Sequence, residues 1–316
     1  MKRQRGAALL LAMLTVTLVA TMAAAAMWQQ WRNVEIEAAE RNRVQSAWIL
    51  SGALDWARLI LREDARSGGA DYLAEPWAVP LQEARLSTFL AMDDNNSDTG
   101  RDAFLSGSIT DLQSRLNLAN LIDNNKLSDQ AMLAFTRLFD QLGVPADQLA
   151  VLSSGMLTAS QAALTKDAAG TASDAPLLPQ RVDQITWLGV STETVARIKP
   201  YVTLLPERTP VNLNTADAEV IQAVIPGLDR AGAMRFVTTR EATHFATLSD
   251  AAKLDPTILD PSVNGQLAIT TRFFEVRGRL RLDQSVVEET SVVKRDGLMV
   301  STLWRERGST RAVAAR

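Results

Sequence analysis

From Ala7 to Met27 the chain runs for 21 residues without a charge, and Lys2, Arg3 and Arg5 stand just before it. At about 1.5 Å of rise per residue, a helix of that length spans the roughly 30 Å hydrocarbon core of a bilayer. Trp28 and Trp31 follow where an aromatic belt would meet the interface, and Arg32 adds a headgroup contact. The apolar pattern then narrows. Ala47, Leu50, Leu54, Ala57 and Leu61 recur at helical spacing and give one apolar face, while Glu35, Glu37, Glu40, Arg41 and Arg43 form a polar stretch nearer the membrane. Neither Gly nor Pro occurs from Ala7 through Ser51. The pattern predicts one helix from Ala7 to about Arg66, apolar all round in its first half, amphipathic in its second, and ended by Ser67-Gly68-Gly69.

Tyr72 to Arg85 contains Pro76 and Pro80 and reads as a loop or irregular connector. Leu105 to Leu118 reads as extended, with Gly107 and Asp111 dividing it into two short strands. From Asn120 to about Val151, Leu127, Met132, Phe135, Leu138, Phe139 and Leu142 suit one or two amphipathic helices, ended by Gly143 and Pro145. Gly155 to Pro179, rich in Ala, Ser, Thr and Asp, reads as a mobile surface loop. Val182 to Tyr201 and Ala216 to Arg240 are helical again. The tail alternates instead: Ile269–Arg281, Ser285–Lys294 and Leu298–Trp304 read as an antiparallel meander, with Arg295-Asp296-Gly297 as a hairpin turn. Two or three strands leave an apolar face to be covered, and the amphipathic half of the long helix is the partner for it. The expected fold is therefore α+β: a long N-terminal membrane-spanning helix packed on a small antiparallel sheet, with a large, mostly helical inserted domain. The expected segments are a leader at 1–6, a membrane span at 7–27 and its amphipathic continuation at 28–67. Loops and short strands follow at 68–119, then the inserted domain at 120–265, the last strands at 266–306 and a flexible tail at 307–316.

Charge and composition remove whole classes of activity. Lys+Arg 33 against Asp+Glu 36 gives a net charge of −3, and excluding Lys2, Arg3 and Arg5 leaves −6 for the part beyond the membrane. That balance opposes nucleic-acid binding. There is no cysteine and one histidine, His244, so thiolate zinc sites and cysteine nucleophiles are excluded. No Walker loop or G-x-G-x-x-G fingerprint occurs. His244, beside Phe245, reads as a surface or packing histidine. The positive-inside rule puts the basic leader in the cytoplasm and the rest outside it. Three readings fit the N-terminus: a plain signal anchor, a signal peptide cleaved near Ala23–Ala26, and a short leader ending at Gly6 with the helix retained after cleavage. The unbroken helix favours the third.

Two local patterns are candidates for binding. Asp93, Asp94, Asn96, Asp98 and Asp102 cluster hard oxygen donors and are a candidate calcium site. They are not an EF-hand, because from Asp94 the glycine falls one place late, at Gly100, and Leu105 stands where the bidentate Glu belongs. A solvated turn is the competing reading. Ile225-Pro226-Gly227-Leu228-Asp229 joins two helices between 207 and 254 and resembles a helix-hairpin-helix unit, with a weaker copy at Ile185–Val190. In DNA-binding versions the place of Asp229 is a glycine. With five basic and six acidic residues from Glu207 to Leu254, packed helix hairpins are favoured over a DNA contact.

The leader Lys2–Leu11, the segments Glu75–Leu81 and Gly107–Leu118, and Pro200–Pro206 followed by Val211–Ala216 resemble, in that order, the minor pseudopilin K family of type II secretion systems. The resemblance spans Lys2 to about Leu303 and carries SAM-like helical units in the inserted domain. It implies a non-enzymatic subunit of the cell inner membrane with its bulk in the periplasm. It implies cleavage by prepilin peptidase between Gly6 and Ala7, and N-methylation of Ala7. Most pseudopilins carry a Glu five residues into the mature chain. Here Leu11 stands there, which fits a subunit at the fibre tip with no neighbour above it. The implied partners are minor pseudopilins I and J, then H and the major pseudopilin G, bound through the apolar helical face and its flanks. Calcium is the one cofactor the resemblance raises. A membrane-anchored DNA receptor of the competence type and a minor pilin of a type IV pilus are the alternatives.

Overall fold

The computed structural model describes residues 5–86, 103–169, 176–282 and 285–311. One helix, α1 (Arg5–Ser67), takes up 63 residues, as the unbroken pattern requires. A connector follows, with a 3₁₀ turn at Pro76–Ala78 and the short strand β1 (Leu81–Arg85). β2 (Ala103–Asp111) comes next. The chain closes on three long strands, β9 (Phe273–Leu282), β10 (Ser285–Asp296) and β11 (Met299–Arg311). These five form one antiparallel sheet in the order β1-β2-β9-β10-β11.

Between β2 and β9 lies the inserted block. It holds β3 (Leu116–Asn117), the small hairpin of β4 (Ile122–Asp123) and β5 (Lys126–Leu127), α2 (Asp129–Gln141) and α3 (Ala146–Ala169). A 3₁₀ helix at Val182–Leu188, α4 (Thr192–Ile198), β6 (Val202–Thr203) and β7 (Val211–Asn212) follow. α5 (Ala218–Val224), α6 (Arg230–Ala242), α7 (Leu248–Ala251), α8 (Pro261–Asn264) and β8 (Leu267–Ala268) complete it. β3 pairs with β6 and β7 with β8, both parallel. One core runs from Leu116 to Leu267 and includes Phe135, Phe139, Leu152, Ile185, Ile221 and Phe236, all almost fully buried. The block thus has its own core, and its limits are wider than 120–265.

The sheet is covered on both faces. Phe274, Val276, Leu280 and Leu282 meet Leu50, Leu54, Ala57 and Leu61 of α1, with Trp77, Leu105, Val293 and Val300 filling in. Phe273 and Val292 point the other way, against Leu112 and Leu205 of the inserted block. The helix-on-sheet arrangement follows from the period of the apolar face on α1.

Four sequence expectations need correction. Gly107 does not break a strand. It sits mid-β2 opposite Gly278 of β9, where a Cβ on Gly107 would lie 2.7 Å from the Arg277 carbonyl oxygen and one on Gly278 would lie 3.1 Å from Leu50 Cδ2. The paired glycines let strand meet strand and helix meet sheet closely. Second, β1 lies inside the connector. It starts directly after Pro80, and an edge position tolerates a preceding proline. Third, the loop expected from Gly155 is helix through Ala169. Leu152, Met156 and Ala159 are buried on one face, and alanine favours helix over coil. Gly155 is small because Leu188 packs on it, with a Cβ 2.8 Å from where its own would be. Fourth, the tail is not free from 307, because β11 continues through Arg311 paired to Ser285.

Candidate functional site: the anchor helix and the polar junction of the head

Within α1, the stretch from Ala7 exposes Leu9, Leu10, Leu11, Leu14, Val16 and Val19, and this helix is long and apolar enough to cross a membrane. Between Ala7 and Met27 the only polar side chains, Thr15, Thr17 and Thr21, donate to the carbonyls of Ala12, Leu14 and Leu18 at 2.9, 3.0 and 2.9 Å. No hydroxyl among them is left for lipid to satisfy. Leu11 is 66% exposed. Gly6 and Ala7 lie in the first turn of α1.

Farther along, α1 has a second apolar face. Val44, Trp48 and Trp56 recur four and eight residues apart, opposite the face that covers the sheet, with Leu59 beside them. Trp48 is 76% exposed and Trp56 is 50% exposed. Gly52, between the two tryptophans, would find nothing within 4 Å of an added Cβ. Next to this stripe is a groove of about 230 Å³, walled by Ala53, Trp56 and Ile60 of α1 and by Val79, Pro80 and Ile109. The face expected to bind partners is thus spent on the sheet, and the open apolar face is the one across the helix.

Where α1, the connector, the sheet and the inserted block meet, the contacts are polar. Arg295 of β10 bonds to Asp64 of α1, to Asp71 of the connector at 2.5 Å and to the Thr271 carbonyl at 2.9 Å. Glu75 accepts from Tyr72 N–H at 2.9 Å and from Trp77 Nε1 at 2.8 Å. Carboxylate oxygens of Asp64, Asp71 and Glu75 all lie within 4.8 Å of one another. Burial pushes the Glu75 carboxyl up to about 7, with the charges of Asp64 and Asp71 adding to it. Burial pushes Asp71 up to about 6, outweighing the attraction of Arg295. Deeper still, Asp111 accepts from Gln113 N–H (2.6 Å), Thr271 Oγ1 (2.6 Å), Thr215 Oγ1 (2.6 Å) and Asn212 Nδ2 (3.0 Å). Asn212 Nδ2 also donates to the Asp71 carbonyl at 3.1 Å. Burial raises the Asp111 pKa as well, although these four donors oppose it.

The sequence-predicted residues fall apart in space. Asp93, Asp94, Asn96, Asp98 and Asp102 lie outside the described residues. Asp229 is the N-cap of α6, and its carboxylate accepts from Gly232 N–H at 2.7 Å, so it takes up a donor that a phosphate would need. His244 stacks on Tyr72 with ring centroids 3.8 Å apart and planes 10° apart, a packing role that ties the block to the connector. The Asp64–Asp71–Glu75–Arg295 group has no counterpart among the sequence expectations. Its members lie up to 231 residues apart, and no local motif announces them.

A membrane-length helix whose outer half lies across an antiparallel sheet defines a pilin-like, membrane-anchored subunit. Residues 114–207 and 211–268 match two family models, each described as type II secretion system (T2SS), protein K. Over those residues the chain is similar to the type II secretion system protein K family. It is 26% identical to type II secretion system protein K of Pseudomonas aeruginosa, over 99% of this chain and 92% of that one. It is 25% identical to the protein of the same name from Pectobacterium carotovorum subsp. carotovorum, over 98% of each. In fold it is similar to a chain of the crystal structure of the GspK-GspI-GspJ complex from the enterotoxigenic Escherichia coli type 2 secretion system. There the TM-score is 0.65 at 18% identity, covering 86% of this chain and 99% of that one.

Proposed function

We propose that this protein is the minor pseudopilin that caps the tip of the periplasmic pseudopilus in type II secretion and helps to start its assembly. It acts by assembly and not by catalysis. Processing after Gly6 leaves Ala7 as the N-methylated first residue, and α1 stays in the inner membrane until the fibre forms. Leu11 removes the carboxylate that a neighbour above would need. The inserted block, with a core of its own, is too bulky to repeat along a fibre.

The observation that carries this reading is the second apolar face of α1, with Trp48 and Trp56 exposed. A surface helix normally keeps such residues covered. The face suits the helices of the I and J pseudopilins, the kinds of subunit that accompany GspK in the similar complex. The full chain, co-expressed with those two partners and extracted in detergent, should co-purify with both. Trp48→Asp with Trp56→Asp should abolish co-purification and leave the melting temperature of the chain alone unchanged. Undiminished recovery of both partners with that double variant would sink the assignment of this face.

A further inference from the structure

Three carboxylates meet at the junction of the head, within 4.8 Å of one another, and two of them bond to one guanidinium. Asp64 and Asp71 both bond to Arg295, while among the described residues Glu75 draws on the neutral donors Tyr72 N–H and Trp77 Nε1. The other charged groups nearby do not redress the balance. Arg272, which lines the same cavity of about 220 Å³, is held by Glu207 and by Asp296 (3.2 Å). Asp111 faces the group from the inserted block's side through Thr271. His244 is engaged on the ring of Tyr72. With all carboxyls ionised, the trio around Arg295 would carry two uncompensated negative charges, in a place where charge is poorly solvated.

We propose that this junction is a proton-binding site, in which Glu75 and Asp71 take up protons against the single cation Arg295, so that the helix, sheet and inserted block lock together more tightly as the surroundings acidify. The members of the latch come from every part of the head: Asp64 from α1, Asp71 and Glu75 from the connector, Arg295 from β10, and Asn212, which grips the Asp71 carbonyl, from the block. The raised pKa values of Asp71 and Glu75 agree with the geometry. The sign follows from linkage. A carboxyl with a higher pKa folded than unfolded binds more protons in the folded state. Its stabilising contribution is complete below the unfolded value and fades as pH rises through the folded one. For these two groups that window runs from the ordinary 3.8 and 4.5 up to about 6 and about 7.

The test is thermal unfolding of the full chain in detergent between pH 5 and pH 8.5, with calcium chloride or a chelator in parallel. Glu75→Gln keeps both hydrogen bonds and removes the charge. The wild-type melting temperature should fall by several degrees across that range, and Glu75→Gln should flatten the fall and melt higher than wild type at pH 8. Asp64→Asn removes a repelling charge from the same trio and should move the fall to lower pH. A fall left in place by Asp64→Asn would mean that the three carboxyls do not act on one another, which overturns the proposal. Parallel curves for wild type and Glu75→Gln would overturn it too. So would a rise of the wild-type melting temperature at pH 8 with calcium that Glu75→Gln loses, because the trio would then take a metal cation where a proton is proposed.

Discussion

Asp111 shows how much one buried side chain can hold. It is 2% exposed, and its two oxygens receive four donors from Gln113, Thr215, Thr271 and Asn212. Asp111→Ala leaves Gln113 N–H and Thr271 Oγ1 buried without this acceptor, and Thr215 and Asn212 with only their second ones, at a cost on the order of 3–5 kcal/mol. The melting temperature should drop by about 10 °C. Asp111→Asn keeps one acceptor oxygen but turns an amide toward donors, and should lose roughly half as much. A calorimetric comparison of the two variants measures the difference; equal losses would mean that shape and not acceptor count matters there. At this scale the sequence is legible where a residue acts through its neighbours in the chain. The cap at Asp229 is local, since its carboxylate meets Gly232 only three residues on, although in the sequence Asp229 stands out only as a departure from the glycine of DNA-binding turns. Asp71, Glu75 and Arg295 give no signal, since what unites them is a junction made by the whole fold.

Among the elements, α1 is the most legible because its information is repeated. Five apolar positions at helical spacing all fall on the buried or half-buried face, whereas β1 has five residues and a proline at its start. The loop expected at Gly155 is helix for the opposite reason. Beyond Met156 the buried position among its described residues is the small Ala159, so this alanine-rich stretch of helix shows little contrast between faces. Leu54, 3% exposed beneath α1, offers the sharpest check of the packing. Leu54→Asp buries an unpaired carboxylate at a cost of several kcal/mol and should unfold the head cooperatively in a far-UV melt. Glu37→Gln, on the exposed side of the same helix, should leave the melt unchanged. An unaltered melting temperature for Leu54→Asp would require α1 to stand away from the sheet.

For the molecule as a whole, the large block is a loop enlarged. Asp111 pairs with Phe274 across the β2–β9 ladder, so the chain leaves and returns at neighbouring points where a plain hairpin would turn. The strands on either side are legible, and so is an inserted helical domain, but the point of insertion is not, because pairing register leaves no local mark. The leader is the other whole-molecule question, since a retained helix and a removed one build different proteins. Chains made with active prepilin peptidase should begin at Ala7 on N-terminal sequencing, and Gly6→Leu should leave residues 1–6 attached. A start near Met27 would show that the helix is discarded.

The unbroken run of α1 has a mechanical side. Sixty-three helical residues make a rod of about 94 Å. The long hairpin of β10 and β11 is strapped to it by Arg58, whose Nε and Nη2 donate to the Val300 carbonyl at 2.9 and 2.7 Å, and by the apolar seam from Leu50 to Leu61. A thrust delivered at the membrane end therefore travels along a single stiff shaft and is handed to the head over a long bearing surface, not at one hinge. The head moves as far as the shaft does, and torque on the shaft turns it.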